Sequence, residues 1–537
     1  MSLIKDITQR LKEEKTEGLL KISFFASVVG IVSGFGAILF RYLIAFFHNL
    51  FFFGSFSLLY DSNAHFISRW DNWVFIVPAV GAAIVGYLVV KFAPEAKGHG
   101  VPEVMEAVIE KGGRIRPVVA VIKSLASSIC IGSGGSVGRE GPIVQIGSCF
   151  GSTLGQLLKL KPRDIITLVG CGAAGGIAAT FNAPISGILF VIELILPEFS
   201  TKTFVPLVIS STIATYISRI FLGNTPAFVI PNYQLISAWE FIFYVILGLI
   251  SGFIAILFIK MLHKFEDAFD NLKISRYVKP VIGGAVIGLM GFVFFKTFGH
   301  YYIFGVGYSF ISDILKGGNL FLPVVITLIF AKMLATSLTL GSGGSGGVFA
   351  PSLFIGAATG GTFGIFIHHV FPSITAPASA YALVGMAAVV AGTTNATITA
   401  IVMSFEMTRA YSIILPLMLS AVLSDFVVNR LNKETIYTEK LIRRGIKVPR
   451  GKEINLLRTL HVKDIVIKDV VYVRRKDPVS TVLEVSAREG LKTLPVVDDE
   501  GRPIGIIRVR ELFSLDKDQP IQNVIVKKDL FISPEIT

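Results

Sequence analysis

Long apolar segments alternate with short polar ones between residue 22 and about residue 430. The apolar segments predict spans at 22–50, 72–92, 117–131, 143–158, 165–178, 182–197, 203–222, 237–262, 278–298, 320–340, 352–371, 380–392, 396–407 and 411–429. Several are shorter than the ~20 residues that a helix needs to cross a bilayer. Such helices, broken by glycine-rich loops, are tolerated at membrane depth only where the loop is buried or lines a watery cavity. The pattern therefore predicts an all-α polytopic membrane protein whose broken helices form a site.

Two glycine-rich loops belong to an internal repeat. The segment KSLASSICIGSGGSVGREGP (123–142) aligns with KMLATSLTLGSGGSGGVFAP (332–351) at a constant offset, because 332 − 123 = 209 and 351 − 142 = 209. A second pair, TFNAPISGILFVIE (180–193) and TTNATITAIVMSFE (393–406), follows in the same order. The membrane part is thus predicted to be a duplicated unit. In inverted duplications the half-helix N-termini of both repeats meet at a midplane site, but the sequence leaves open whether the repeat is inverted.

Composition and predicted secondary structure divide the chain into six segments. After about Leu457 it becomes soluble α/β, and LKTLPVVDDEGRPIGIIRVREL (491–512) predicts a strand, a tight turn, a second strand and a helix start. A second such unit begins near Ile521 and stops. The expected segments are an N-terminal cytoplasmic segment at 1–21, membrane repeat 1 at 22–222, a linker at 223–236, membrane repeat 2 at 237–430, a cytoplasmic connector at 431–456 and the α/β tail at 457–537.

The charge is concentrated at the edges of the membrane part. The chain is 52% apolar and 16% charged with a net charge of +13, whereas soluble proteins carry about 25% charged residues. Positive residues close to a span mark its cytoplasmic side, which predicts cytoplasmic termini and an even number of crossings. They precede the first span and follow the last one, at Lys5, Arg10, Lys12, Lys15, Lys21, Arg430, Lys433, Lys440, Arg443, Arg444, Lys447, Arg450 and Lys452. No basic run is interleaved with aromatic residues, so no nucleic-acid partner is predicted.

Three glycine-rich helix starts predict an anion site. GSGGSVGREGPIVQIG leads into a helix near Pro142, GSGGSGGVFAPSLFIG into one near Pro351, and GHGVPEVMEAV into one near Pro102. A helix N-terminus presents free N–H groups and a partial positive charge. We therefore expect an anion held mainly by backbone amides.

Two other interpretations of these loops fit less well. Glycines also permit close helix packing in membranes, but Arg139 and Glu140 lie within one loop, and an ionisable residue at membrane depth is a functional candidate by default. A nucleotide-binding P-loop would need a GK[ST] ending and a preceding strand, and both are missing.

The motifs together resemble one family. GREGP (138–142), GVFAP (347–351) and GHGVPE (98–103) resemble the three anion-pathway signatures of the CLC chloride channels and chloride/proton antiporters. FNAPISGILFVIE resembles a further family segment, and the tail resembles the CBS domains of many members. The resemblance implies a duplicated, inverted-repeat helical domain with a small CBS-like tail. It also implies homodimers with one pathway per subunit in the cell inner membrane and chloride or a similar small anion as the bound ligand, with no cofactor or metal. Protons are a second substrate if the protein is an exchanger, and the resemblance leaves channel and exchanger open.

The resemblance also implies roles for individual residues. Glu140 matches the gating glutamate, whose carboxylate competes with the anion and leaves when protonated, and Tyr437 of KETIYTEKL matches the pore tyrosine. The residues implied to bind the anion are His99, Gly100, Gly138, Arg139, Gly141, Val348, Phe349 and Tyr437.

Two departures from the family pattern leave function partly open. Leu194 stands where exchangers usually have an internal proton-relay glutamate, and Met105 is also apolar, so no proton relay is evident. This favours channel-like flow, whereas the short tail favours exchange. In the tail, Arg508 and Glu511 stand where nucleotide-binding CBS sites tend to have a hydroxyl and an aspartate. That substitution favours a dimerisation or packing role over adenine-nucleotide binding.

Other classes of protein explain the sequence less well. A regulatory ligand-binding tail on a membrane anchor is the main alternative, but an anchor needs no broken helices around Glu140 and Phe349. An enzyme would need a nucleophile–base pair or a metal cluster, and the sequence offers neither, so no enzymatic activity is predicted.

The third departure, His99 in place of a family serine, generates a prediction. An imidazole titrates near neutral pH, so anion affinity should rise in acid as His99 becomes charged. Anion binding measured calorimetrically across pH checks this. An affinity that does not change with pH would favour the alternative, in which His99 only packs and its backbone binds.

Overall fold

The structure is a computed structural model that describes residues 2–196, 200–231, 233–318, 321–432, 434–446, 448 and 470–523. It divides into two compact units, Met1–Val448 and Pro449–Thr537.

The first unit is helical. Its helices are α1 (Ser2–Phe53), α2 (Ile76–Phe92), α3 (Val101–Ile109), α4 (Val118–Gly132), α5 (Glu140–Leu157), α6 (Pro162–Phe181), α7 (Pro184–Phe190, continued by a π-helical turn Val191–Ile195), α8 (Thr201–Leu222), α9 (Glu240–Asn271), α10 (Val278–Phe298), α11 (Tyr308–Leu315), α12 (Leu322–Gly341), α13 (Phe349–Val370), α14 (Ala378–Thr394), α15 (Thr397–Thr408), α16 (Ile414–Leu431) and α17 (Thr438–Arg443).

The helices confirm the predicted alternation of long and short apolar segments. Among the described residues, nine helices are long and apolar enough to cross a membrane, and α4, α7, α14 and α15 are shorter apolar helices. Helices α5 and α13 begin at Glu140 and Phe349, two residues earlier than the prolines that were expected to open them. Helix α11 was not predicted, because Tyr308–Leu315 is only eight residues long and falls between two predicted spans.

Two buried lysines occupy equivalent positions in the two repeats and make equivalent contacts. Lys123 of α4 donates to the carbonyl oxygens of Ala96 and Gly98 at 3.0 and 2.7 Å. Its repeat partner Lys332 of α12 donates to two carbonyl oxygens of the loop 303–307 at 3.2 and 2.9 Å. Each ammonium therefore fixes the loop that precedes a short helix, α3 in one repeat and α11 in the other. Since an unpaired buried charge costs several kcal/mol, these bonds fix both loops firmly.

Two glutamates bridge the repeats reciprocally. Glu193 accepts hydrogen bonds from the backbone N–H of Ile398 and Thr399 at 3.0 and 2.7 Å, at the start of α15. Glu406 accepts from the N–H of Ile185 and Ser186 at 3.1 and 2.8 Å, at the start of α7. Each repeat thus caps a helix of the other, which satisfies N–H groups that would be costly to leave bare in a bilayer. Such an exchange requires a two-fold relation between the repeats.

Small residues let the helices inside each repeat approach closely. A Cβ atom added to Gly147 of α5 would overlap the carbonyl oxygen of Gly172 in α6, and one on Gly356 of α13 would overlap that of Gly385 in α14. Close backbone approach through small residues is the usual way in which helices associate in membranes. Packing therefore explains the glycines within these helices, and the glycines in the loops need a separate reason.

The second unit has a small three-stranded sheet. Its elements are β1 (Val473–Arg474), α18 (Val479–Glu489), β2 (Thr493–Val497) and β3 (Pro503–Arg508). Strand β2 pairs in parallel with β1 and antiparallel with β3, and Gly501 takes a positive φ of 79° in the turn between β2 and β3. The predicted strand–turn–strand is confirmed, although a single 3₁₀ turn, Val509–Glu511, stands where a helix start was expected. The stretch expected to begin a second unit lies largely outside the described residues.

Candidate anion pathway

Glycine-rich loops from the two repeats pair at the centre of the membrane unit. The N–H of Gly138 donates to the carbonyl oxygen of Gly347 at 2.7 Å, and the N–H of Gly347 donates back to Gly138 at 2.6 Å. Gly134 and Gly343, related by the repeat offset of 209, take φ values of 99° and 117° that favour glycine. The pairing places the N-termini of α5 and α13 side by side.

Glu140 lies at this junction with its carboxylate inside the protein. The residue is 3% exposed. One carboxylate oxygen accepts a hydrogen bond from the hydroxyl of Tyr308 at 3.0 Å, and the other accepts from the backbone N–H of Ala350 at 3.3 Å. A Cβ atom on Gly138 would overlap this carboxylate, so that glycine provides the space for it. The carboxylate thus lies at the N-terminus of α13.

The other residues expected to bind the anion surround this point. Val348 is the N-cap of α13 and Phe349 its first residue, and both are buried. The first N–H groups of a helix have no partner within the helix, which suits the amides of Val348 and Phe349 for anion binding. Arg139 is the N-cap of α5, and its guanidinium lies 5.2 Å from the ring centre of Tyr308.

The loop 98–100 completes the arrangement from a third side. A Cβ atom on Gly141 would clash with the carbonyl oxygen of His99, and one on Gly100 would come within 2.7 Å of the carbonyl oxygen of Gly141. The imidazole ring of His99 lies 6.4 Å from the ring of Tyr437, which is itself 1% exposed. The structure therefore brings the eight residues predicted to bind the anion together around Glu140.

The imidazole of His99 is directed at an acid. Its Nε2 lies 3.4 Å from Oε1 of Glu266 on α9, and the other oxygen of Glu266 lies 2.8 Å from Nδ1 of His263. Neither ring nitrogen of His99 has a hydrogen-bond partner of good geometry among the residues that the structure describes. The positive charge of a protonated His99 would face Glu266, so the rise in anion affinity expected in acid stays a prediction.

Leu194 packs against the apolar core from the π-helical turn Val191–Ile195. Met105 of α3 is also buried among apolar residues. The two positions at which a proton-carrying acid was sought are thus both enclosed in apolar surroundings.

Tyr308 is a site residue that the sequence interpretation missed. It begins α11, directly after Gly305-Val306-Gly307. That G-x-G is the repeat counterpart of Gly98-His99-Gly100, since 305 − 98 = 207 and 307 − 100 = 207. Aligning these two G-x-G loops would have pointed to Tyr308. Their offset of 207 differs by two residues from the offset of 209 in the main repeat, so the alignment of that repeat does not show it.

Tyr308 generates a prediction about the gate. A hydrogen bond to a charged group contributes about 1.5–3 kcal/mol, so Tyr308→Phe should weaken the hold on the Glu140 carboxylate and raise chloride flux at neutral pH several-fold. Flux from proteoliposomes measures this. Tyr302→Phe, a buried tyrosine that packs against Phe310 of the same helix, should leave flux near the wild-type rate. Equal rates for both variants would show that the hydroxyl of Tyr308 does not hold the gate.

Comparisons with known proteins identify the family of this chain. The family model described as voltage gated chloride channel matches residues 81–429, and a CBS domain model matches residues 462–518. A putative chloride channel protein ClcB-like from Ralstonia nicotianae is 32% identical over 68% of this chain and 85% of its own length. An H(+)/Cl(-) exchange transporter ClcA from Vibrio campbellii is 33% identical over 72% of this chain and 82% of its own.

Solved structures are also similar to this chain. The crystal structure of a slow cyanobacterial Cl-/H+ antiporter has a TM-score of 0.69 at 26% identity and covers 79% of this chain and 98% of its own. A eukaryotic CLC transporter, at 20% identity and a TM-score of 0.67, covers 96% of this chain and 92% of its own and shows the fold alone. With its paired glycine loops and buried Glu140, the chain belongs to the CLC family of voltage-gated chloride channels and chloride transporters and carries a CBS domain in its tail.

Proposed function

We propose that this protein carries chloride across the cell inner membrane in exchange for protons, through the pathway gated by Glu140, with both termini cytoplasmic. The observation that carries the proposal is the position of the Glu140 carboxylate at the N-terminus of α13, held by Tyr308 and Ala350. A carboxylate in an anion site excludes the anion, and protonation removes the charge that competes with it. One side chain can thereby link chloride movement to proton movement.

The relatives support the exchange. Two of the similar proteins have chloride/proton exchange in their names: an H(+)/Cl(-) exchange transporter at 33% identity and a cyanobacterial Cl-/H+ antiporter at 26%. The positive residues around both ends of the membrane part support the cytoplasmic placement of the termini.

Leu194 favours a second candidate, a chloride channel. An apolar side chain at that position cannot carry a proton, and a ClcB-like relative is named as a putative chloride channel. Chloride would then flow passively, with Glu140 serving only as a gate.

The two candidates predict different fluxes from chloride-loaded proteoliposomes. Chloride efflux should drive protons uphill, recorded as a change in external pH, because each turnover of Glu140 moves both. In Glu140→Gln the proton movement should disappear while chloride efflux continues, since glutamine cannot be deprotonated. Glu110→Gln, which alters an exposed glutamate just after α3, should behave as wild type.

Each other outcome has a definite meaning. Fast chloride efflux from the wild-type protein without proton movement would establish the channel. Absence of chloride flux from the wild type would contradict the proposed anion pathway. Proton movement that persists in Glu140→Gln would show that the gate is not the coupling group.

We also infer a homodimer packed through α7, α15 and α16. Helices α7 and α15 are too short to span a bilayer, and they contact each other beside α16. Ile185 of α7 and Ile398 of α15 are exposed. An apolar stripe of α16 is also exposed, at Leu415, Met418, Val422 and Phe426. A second copy would cover the ends of the short helices, which lipid satisfies poorly.

Larger side chains on this face should block the contact between the two copies and so test the dimer. The double variant Ile398→Trp/Val422→Trp should shift the purified protein from dimer to monomer in light scattering. Val293→Trp on the exposed side of α10 should leave the mass unchanged. A wild-type monomer, or a double variant that stays dimeric, would contradict this interface.

The tail has a cleft that bears on its proposed role. A cavity of about 600 Å³ is lined by Lys492, Arg508, Arg510 and Phe513 among others, and Nη1 of Arg508 lies 3.9 Å from Glu511. The two residues that replace the usual hydroxyl and aspartate are therefore close to each other. We propose a packing role for this unit.

A further inference from the structure

The proposed exchange needs a route for protons between Glu140 and the inner side of the membrane. The inner side here is the side of α17, whose Lys440, Arg443 and Arg444 follow the last span. Leu194 and Met105 both lie in apolar surroundings. The proton on this side must therefore be carried by other titratable groups or by water.

We propose that Glu266 and His99 carry protons between the inner solution and the anion pathway, with His263 positioning Glu266. The inference rests on the proposed exchange function and names the groups that supply its protons from within.

His99 has the position that such a carrier needs. The side chain is fully buried, its ring lies 6.4 Å from the ring of Tyr437, and its own carbonyl oxygen lies against the backbone of Gly141, next to Glu140. Imidazole is the side chain that gains and loses a proton most readily near neutral pH. His99 thus lies between the gate and the acid of α9.

Glu266 connects this buried imidazole to water. Its side chain is 15% exposed, while one carboxylate oxygen faces Nε2 of His99 at 3.4 Å and the other contacts Nδ1 of His263 at 2.8 Å. A distance of 3.4 Å is longer than a good hydrogen bond, so transfer requires an approach of a few tenths of an ångström. His263 is 2% exposed and fixes the carboxylate on its other side.

The proton balance is simple. Glu266 takes a proton from the inner solution and donates it to Nε2 of His99. The imidazolium then releases its other proton, from Nδ1, toward the pathway, and Glu140 becomes neutral by accepting it. Glu266 is again a carboxylate and His99 a neutral imidazole, whose ring must turn over to restore the starting tautomer. Glu140 returns to its starting charge when it releases the proton on the outer side.

The neighbouring acid Glu103 is unsuited to this task. Its carboxylate accepts hydrogen bonds from Lys440 at 2.8 Å, from Arg444 at 3.1 Å and from the N–H of Gly100 at 3.1 Å. Both oxygens of Glu103 are thus engaged, one by the two cations of α17 and its flank and the other by the loop 98–100. Glu103 serves to anchor α17 against α3.

Other charges also face His99 from the elements packed around it. These are Glu266 of α9, Glu103 of α3 and Lys440 of α17, with the ring of Tyr437 6.4 Å away and His263 on the far side of Glu266. The Glu103 carboxylate is paired with Lys440 and Arg444, so the carboxylate of Glu266 is the one that balances a proton on His99. A proton can thus reside on His99 without leaving a large net charge in the site.

The repeat shows that the scaffold does not require a histidine here. The position related to His99 is Val306, in the matching loop Gly305-Val306-Gly307, which receives Lys332 just as the loop 98–100 receives Lys123. An apolar residue is thus sufficient for the loop to form and to bind its lysine. The imidazole of His99 therefore has a purpose other than packing.

The test measures proton and chloride fluxes separately in full-length protein reconstituted in liposomes. In Glu266→Gln the proton flux should fall at least tenfold while chloride efflux stays within about threefold of wild type. His99→Ser should also lose proton flux. Asp267→Asn, a change of the adjacent acid that pairs with Arg443, should keep the wild-type ratio of protons to chloride.

The remaining outcomes separate this inference from the function on which it rests. A coupled wild type with unchanged coupling in Glu266→Gln and His99→Ser would overturn the relay alone. A wild type that moves no protons would overturn the proposed exchange, and the relay with it. If His99→Ser keeps its coupling but loses the acid-induced gain in chloride affinity, His99 binds the anion and does not carry protons.

A second readout guards against misfolding. In Glu266→Gln and His99→Ser the proton flux should depend less steeply on the pH of the inner solution, because Glu266 and His99 equilibrate with that solution. Its dependence on the outer pH should not change. Variants that are monodisperse and bind chloride but show an unaltered inner pH profile would contradict the relay.

Discussion

Gly138 and Gly347 exchange two backbone hydrogen bonds at the point where the two broken helices α5 and α13 begin. In a bilayer every backbone N–H and C=O group must find a partner within the protein, so a chain that stops two helices at membrane depth has to satisfy the loops between them. The two loops satisfy each other. The amides that follow, in the first turns of α5 and α13, have no acceptor within their own helices.

The position of Glu140 follows from this pairing. A glycine at 138 leaves the space that the carboxylate occupies, and the start of α13 supplies the amide of Ala350. The fourth loop, at 305–307, adds the hydroxyl of Tyr308. The gate is thus assembled from both repeats, and neither repeat could form it alone.

The two repeats are matched in scaffold and differ in chemistry. Lys123 and Lys332 fix equivalent loops, and Glu193 and Glu406 cap equivalent helices. In contrast, one loop carries His99 and the other carries Val306, and Glu140 is matched by Phe349. The two repeats therefore share one scaffold, and the side chains that differ between them are the ones that line the Glu140 site.

The sequence by itself determined the broken helices, the duplication, the glycine-rich loops and the residues gathered around Glu140, because each is written in local composition and in spacing along the chain. It could not show that Tyr308 binds the gate or that Glu266 faces His99 across 167 positions of sequence (266 − 99). The repeat aligns Glu193 with Glu406, but it does not show which helices these residues cap. Those contacts are set by how the inverted repeats fold onto each other, and only the tertiary structure brings such distant side chains together.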